Sequence, residues 1–159
     1  MEFTELEQYE QVGILAIGQL ETHNALNNQT LAKSEHYHFL ISESLTVVLR
    51  EIGVPDHHVG YLYLREAIMM AVEDKDITNS VTNVLYSKVA LKYSSTPCYV
   101  ECSIRNAIQI AWDKGNLSIL QRYFSCNSRE VEGRPTNRKF IAMIAEWLEL
   151  QGKQYMLIA

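Results

Sequence analysis

SVTNVLYSKVALKYSSTPCYVECSIRNAIQIAWDKGN, residues 80–116, reads as two helices joined by a short turn. Within Tyr93-Ser94-Ser95-Thr96-Pro97, Thr96 can cap the orphan N–H groups of the second helix. Pro97 at its first position gives up an N–H that had no partner. Beyond it, Val100, Ile104, Ala107, Ile108 and Ala111 recur at spacings of four and three, with Trp112 beside them, which is one helical face. Gly115 supplies the stop, expected in the left-handed conformation that glycine tolerates. The spacing therefore predicts a helix over 97–114. Its opposite stripe carries Glu101, Cys102, Arg105, Asn106, Gln109 and Asp113. That is the layout of a helix-turn-helix, which sets its second helix in the major groove of DNA. Arginine can bond guanine through O6 and N7, asparagine can do the same for adenine, and a carboxylate can accept from cytosine N4. Glu101, Arg105 and Asn106 are thus chemically able to read base edges. The plainer alternative is a polar face that meets only water.

Further residues carry a family resemblance. GYLYLREAI at 60–68, VLY at 84–86, Glu101, IR at 104–105, AI at 107–108, AW at 111–112, GN at 115–116, and PTN with FIAM within 135–143 resemble the C-terminal effector domain of stage-zero sporulation protein A. That protein is the master response regulator of spore-forming bacteria. The likeness covers roughly 37–150 without long gaps. It implies an all-α domain of about six helices with the helix-turn-helix at its centre. It also implies a transcription factor that binds short boxes of double-stranded DNA in tandem, and contacts the RNA polymerase sigma factor.

Position by position, the family's base-contacting glutamate falls on Glu101 and its second arginine on Arg105. Its first base-reading arginine falls on Cys102, a nearby basic residue on Tyr99, and a histidine on Asn106. A thiol cannot make the forked contact of arginine to guanine, worth about 1–3 kcal/mol of discrimination. The base-reading set implied is Glu101, Cys102, Arg105 and Asn106. The set gripping phosphate is Ser95, Thr96, Tyr99, Arg134, Arg138 and Lys139. The sigma-contacting segment falls on 117–134, where Gln121, Phe124 and Ser128 are the candidates. Leu117, Leu120 and Phe124 are equally spaced as the buried face of a short helix.

Full-length family members carry a phosphoacceptor receiver ahead of the effector. Residues 1–36 contain no Asp, so they hold no phosphorylatable aspartate and are not a receiver. An independent short paralogue is expected rather than a piece of something longer. Val12, Ile14, Leu15, Ile17 and Leu20 form an apolar run broken by Gly13 and Gly18, compatible with strand or helix. Asn24–Thr30 (NALNNQT) reads as a loop. The apolar run would dock on the domain or pair two chains, docking being the plainer reading. The expected organisation is an N-terminal segment, 1–36, then the helix-turn-helix domain, 37–159.

A formal charge of −5 disfavours a general DNA-coating protein, since phosphate neutralisation supplies most non-specific affinity. Its distribution softens that objection. Residues 1–36 hold six Glu against one Lys, whereas 94–139 hold seven basic residues against four acidic ones. Arg134, Arg138 and Lys139 flank Pro135-Thr136-Asn137, the expected start of the last helix, and can touch phosphate beside its N-terminal N–H groups. No apolar run reaches the roughly 18 residues of a membrane span, and no signal peptide opens the chain. Three cysteines without an export signal read as reduced cytoplasmic thiols. Cys98 with Cys102, His36 with His38, and His57 with His58 are weak metal candidates, each lacking further ligands. No cofactor is expected, and no phosphate loop, nucleophile elbow or catalytic carboxylate pair suggests an enzyme.

The remaining helices are expected at 34–52 with Ser34 as cap, at 59–73, from Asn79 or Ser80 through Leu91, and at 137–151. Their apolar positions include Tyr37, Leu40, Ile41, Leu45, Val48 and Ile52, then Leu62, Ala67, Ile68 and Ala71. Val81, Val84, Leu85, Val89 and Leu91 follow, then Phe140, Ile141, Ile144, Trp147 and Leu148. The tail Tyr155–Ile158 is left to pack on the bundle or on another chain. Two functions follow: a sequence-specific transcription regulator, or an interaction protein derived from an effector domain that no longer binds DNA.

Overall fold

The computed structural model describes residues 5–79, 83–124 and 133–158. Among them every regular element is helical. In chain order these are α1 (Glu5–Ile52), α2 (Val59–Glu73), a 3₁₀ turn (Lys75–Thr78), α3 (Asn83–Lys92), α4 (Pro97–Lys114), α5 (Leu117–Tyr123) and α6 (Asn137–Ile158). The chain divides into two units, Met1–Phe39 and Leu40–Ala159.

The first unit is helical from Glu5 onward, which corrects two expectations. Asn24–Thr30 is helix rather than loop, and Ser34 lies inside a helix rather than capping one. Every side chain from Glu21 to His36 is exposed, so no core face produces the hydrophobic period that marks most helices. Local bonds support the coil: Thr22 donates its hydroxyl to the Gln19 carbonyl at 3.0 Å and Thr30 to that of Leu26 at 2.9 Å.

In the second unit α2 packs on both α4 and α6, and α3 packs on α4 and α2. Fully buried side chains come from each face: Leu45, Leu49 and Ile52 of α1, Leu64 and Ile68 of α2, Ile104 and Ile108 of α4, and Phe140, Ile141, Ile144 and Leu148 of α6. At about 1.5–3 kcal/mol for each fully buried aliphatic or aromatic side chain, this cluster supplies the main cohesion of the unit. Polar ties sit at its margins. Arg65 donates to the Ser42 hydroxyl at 2.5 Å, joining α2 to α1. Lys75 pairs with the buried Glu149 at 2.7 Å. The Tyr123 hydroxyl donates to the Glu51 carboxylate, joining α5 to α1.

Several expected core positions are corrected. Leu62, Val84 and Leu91 are exposed at 46%, 44% and 84%. On α3 the buried arc is Leu85, Tyr86, Val89 and Ala90, so Val84 and Leu91 lie outside it and the aromatic Tyr86 lies within. Tyr37, Leu40 and Trp147 are only half-buried. The expected cap of α3 at Ser80, and Val81, lie outside the described residues; Asn79 ends the 3₁₀ turn. Helix α6 continues seven residues past its expected end at 151 to Ile158. Its last residues, Tyr155 to Ile158, are exposed.

Candidate nucleic-acid interface

Helices α3 and α4 are separated by residues 93–96. The Ser95 N–H donates to the Ala90 carbonyl at 2.8 Å and the Tyr93 N–H to that of Val89 at 3.2 Å. Ser94 makes the reversal in the left-handed region, at φ +50°. The Thr96 hydroxyl then accepts from the Tyr99 N–H at 3.3 Å, with Pro97 in the first turn. At the far end Gly115 has φ −67° and ψ 144°, an extended rather than the expected left-handed conformation. Glycine stands there because space is short: a Cβ would lie 2.6 Å from the Ala111 carbonyl oxygen and 3.0 Å from Leu120 Cδ1.

Helix α4 is held from beneath. Val100, Ile104, Ala107, Ile108 and Ala111 are all buried. Gly60 of α2 lies under Ser103, where a Cβ would meet the Ser103 carbonyl carbon at 2.9 Å and Ala107 Cβ at 3.0 Å. That close approach fixes how deeply α4 seats on α2. The stripe left uppermost holds Cys98, Tyr99, Cys102, Arg105 and Asn106, all exposed, with Glu101 half-buried. Glu101 and Arg105 form an ion pair one helical turn apart, their side chains 40% and 49% exposed. Gln109 donates to Asp113 at 2.7 Å and accepts from Arg134.

The start of α6 meets this stripe. Thr136 caps it, its hydroxyl accepting from the Lys139 N–H at 3.2 Å and its carbonyl from the Phe140 N–H at 2.9 Å. Arg134, Arg138, Thr136, Glu101 and Arg105 line an open recess of about 400 Å³, with Tyr86 and Asn137 among its walls. Arg138 also donates to Asn79 at 3.4 Å. The fold therefore brings Arg134 and Arg138 to Glu101 and Arg105, a clustering of groups that lie far apart in sequence.

At the other end of the stripe, Tyr63, Tyr93 and Tyr99 form an aromatic group. The rings of Tyr93 and Tyr99 stand edge-on to that of buried Tyr63, with centroids 5.5 and 6.2 Å away. Tyr99 is 54% exposed, so its phenol remains available beside Ser95 and Thr96.

Two side chains were not foreseen as part of this region. Asn137 is buried, and its Nδ2 donates to the Glu101 carbonyl at 3.1 Å. Tyr86 is buried on α3 and lines the same recess as Asn137. Burial pushes the Tyr86 phenol above its ordinary value, with the Asn137 amide opposing. One sequence signal exists: an asparagine directly after a capping threonine has no cap left to make.

The candidate sigma-contacting residues divide. Gln121 is exposed on α5, and Ser128 lies outside the described residues. Phe124 is corrected to a core residue: it is 5% exposed, its ring centroid 5.5 Å from that of Trp112 and 5.1 Å from that of Phe140. Burial under two aromatic neighbours removes it as a surface contact. Among the described residues no cluster of His, Cys, Asp or Glu is placed to hold a metal. No helix among them is long and apolar enough to cross a membrane.

A four-residue turn, a capped second helix bedded on its apolar face and an uncovered polar stripe define a helix-turn-helix domain. Residues 45–148 match the family described as Sporulation initiation factor Spo0A C terminal. The chain belongs to that family, a sporulation-related group of DNA-binding regulatory effector domains rather than enzymes.

Proposed function

We propose that this protein is a sequence-specific, DNA-binding transcription regulator acting in the control of sporulation initiation. The observation that carries this is the uncovered state of Arg105 and Asn106. Both are exposed, and Cys102 beside them is exposed too. Had they been walled off beneath the fold, α4 could not enter a groove. Helix α4 would lie in the major groove with Glu101, Cys102, Arg105 and Asn106 toward base edges. Ser95, Thr96 and Tyr99 would hold phosphates on one side, and Arg134, Arg138 and Lys139 on the other. Binding as tandem copies would place two such helices along one operator, and sigma-factor contact would use Gln121 of α5 rather than Phe124.

Titration of fluorescent duplexes, selected from a random pool and compared with scrambled ones, tests this. Selective binding whose affinity falls steeply with salt supports it. No detectable binding to any duplex at low salt rejects it. That result would select the competing reading, an interaction protein acting on another regulator, which draws on Cys102 at the family's arginine position and on the six glutamates of residues 1–36.

A further inference from the structure

Asn137 is the first residue of α6, and Thr136 before it already caps the helix. The Asn137 amide is therefore spare, and it turns inward: the residue is 9% exposed. Its Nδ2 donates to the Glu101 carbonyl at 3.1 Å, and Tyr86 of α3, itself 4% exposed, lines the same recess as Asn137. In an α-helix the carbonyl of residue 101 accepts the N–H of residue 105. Asn137 thus grips the peptide that closes the turn bearing both Glu101 and Arg105, and a carbonyl has lone pairs for both donors.

Three helices, α3, α4 and α6, meet at this one amide. Apolar packing between helices sets their separation but tolerates small slides and rotations. A buried, directional bond does not. A one-residue shift moves a helix by about 1.5 Å and turns it by about 100°, which would leave the buried Asn137 amide without its partner. Buried polar groups are best attested as devices that fix register between helices.

We propose that Asn137, backed by Tyr86, is a positioning and specificity-determining residue that sets the rotation and axial register of α4, so that Glu101 and Arg105 meet base edges. The inference rests on the reading of α4 as the DNA-contacting helix. Arg134 cannot substitute, since it reaches the Gln109 side chain rather than the helix backbone.

Asn137→Asp keeps the shape of the side chain while removing its N–H donors. The carboxylate would face the Glu101 carbonyl without a donor, so a purely structural role predicts lost stability in both variants with unchanged selectivity. Asn137→Ala controls for the added charge. In both variants the preference for a selected duplex over a scrambled one should fall about tenfold. The dependence of affinity on salt should stay within about one charge of the wild type. Tyr86→Phe should give a smaller loss in the same direction. Amide hydrogen exchange of the duplex-free protein supplies an independent readout, and exchange at residues 101–105 should accelerate in both Asn137 variants. Unchanged selectivity in both variants, with a selective wild type, overturns the positioning role and leaves the DNA reading standing. A wild type that binds no duplex overturns the DNA reading and the specificity role with it. The exchange rates still decide the clamp, and unchanged rates at 101–105 in both variants overturn that as well.

Discussion

Replacing Cys102 by arginine would supply the forked donor that the family resemblance implies at this position, and the structure allows the consequences to be sized. Cys102 is exposed on α4, so the longer side chain overpacks nothing. Its chain neighbour Glu101 is engaged with Arg105, and adjacent helical residues do not face one another, so no new ion pair forms with it. Stability should therefore change by no more than about 0.5 kcal/mol. At this chain length that is a shift in Tm of about 2 °C or less. The DNA effect should be much larger. A forked contact to guanine is worth about 1–3 kcal/mol, a gain of about 5- to 150-fold on duplexes with guanine at the contacted position. One added cation should also steepen the slope of log affinity against log salt by about 0.9. The assay is selection of bound duplexes from a random pool by wild type and Cys102→Arg, followed by anisotropy titration of each winning sequence at two salt concentrations. A new guanine at one position of the selected box is the expected signature. A variant that tightens on all duplexes alike, with only the salt slope changed, would show that position 102 never reaches a base, and the groove geometry assigned to α4 would be wrong.

Arg105→Ala should flatten preference among sequences by about 1–3 kcal/mol at one base pair. It should cost only about 0.3–0.5 kcal/mol of stability, the usual worth of an exposed ion pair one turn apart, and Lys139→Ala should instead weaken all duplexes alike; competition titrations check both. Gly60→Ala would drive a Cβ into the Ser103 carbonyl oxygen, a backbone atom that can yield only if α4 moves, an overpacking cost of at least about 1–3 kcal/mol that lowers Tm by about 3–10 °C or more; an unchanged melting curve would contradict the close seating of α4 on α2. Burial, then the hydrogen bond to Glu51, pushes the Tyr123 phenol up to about 12. A raised phenol favours the fold fully below the ordinary tyrosine value near 10, and that contribution, about 2–3 kcal/mol, is lost as pH climbs from about 10 through 12. Urea titrations between pH 8 and 12 should show a smaller loss in Tyr123→Phe than in the wild type, the remainder coming from the raised phenol of Tyr86.

The legibility of this chain followed how local each determinant is. Both ends of α4 were readable because Thr96-Pro97 and Gly115 act on their own neighbours, and the buried face of α4 repeats with the helical period. The helix over residues 21–36 was not readable. It buries nothing, so it has no period, and its Asn-rich run imitates a loop. On α3 the apolar residues mark two faces at once, and only the packing of α2 and α4 decides that Tyr86 goes inward while Leu91 goes out. The exposed polar groups of α4 could be inferred as the complement of a buried stripe. Their convergence with Arg134 and Arg138, and the bond from Asn137 to a peptide 36 residues earlier, could not. Those depend on where α6 begins in space, which no spacing within α4 encodes.

The polar groups of this face are held against one another: Arg105 on Glu101, Arg134 on Gln109, and Gln109 on Asp113. DNA binding would have to exchange these bonds for bonds to bases and phosphates. Because the side chains are exposed, each pair is worth well under 1 kcal/mol, so breaking all three costs about 1–2 kcal/mol in total. One correct forked contact offsets that on its own. Meanwhile the pairs hold long side chains near one rotamer, and immobilising such a side chain otherwise costs about 0.5–1.5 kcal/mol on association. A surface network of this kind thus lowers the entropic cost of recognition while barely competing with it. A wrong base pair bears the same breaking cost, so that cost cancels between right and wrong sites, and selectivity comes from the forked contact itself.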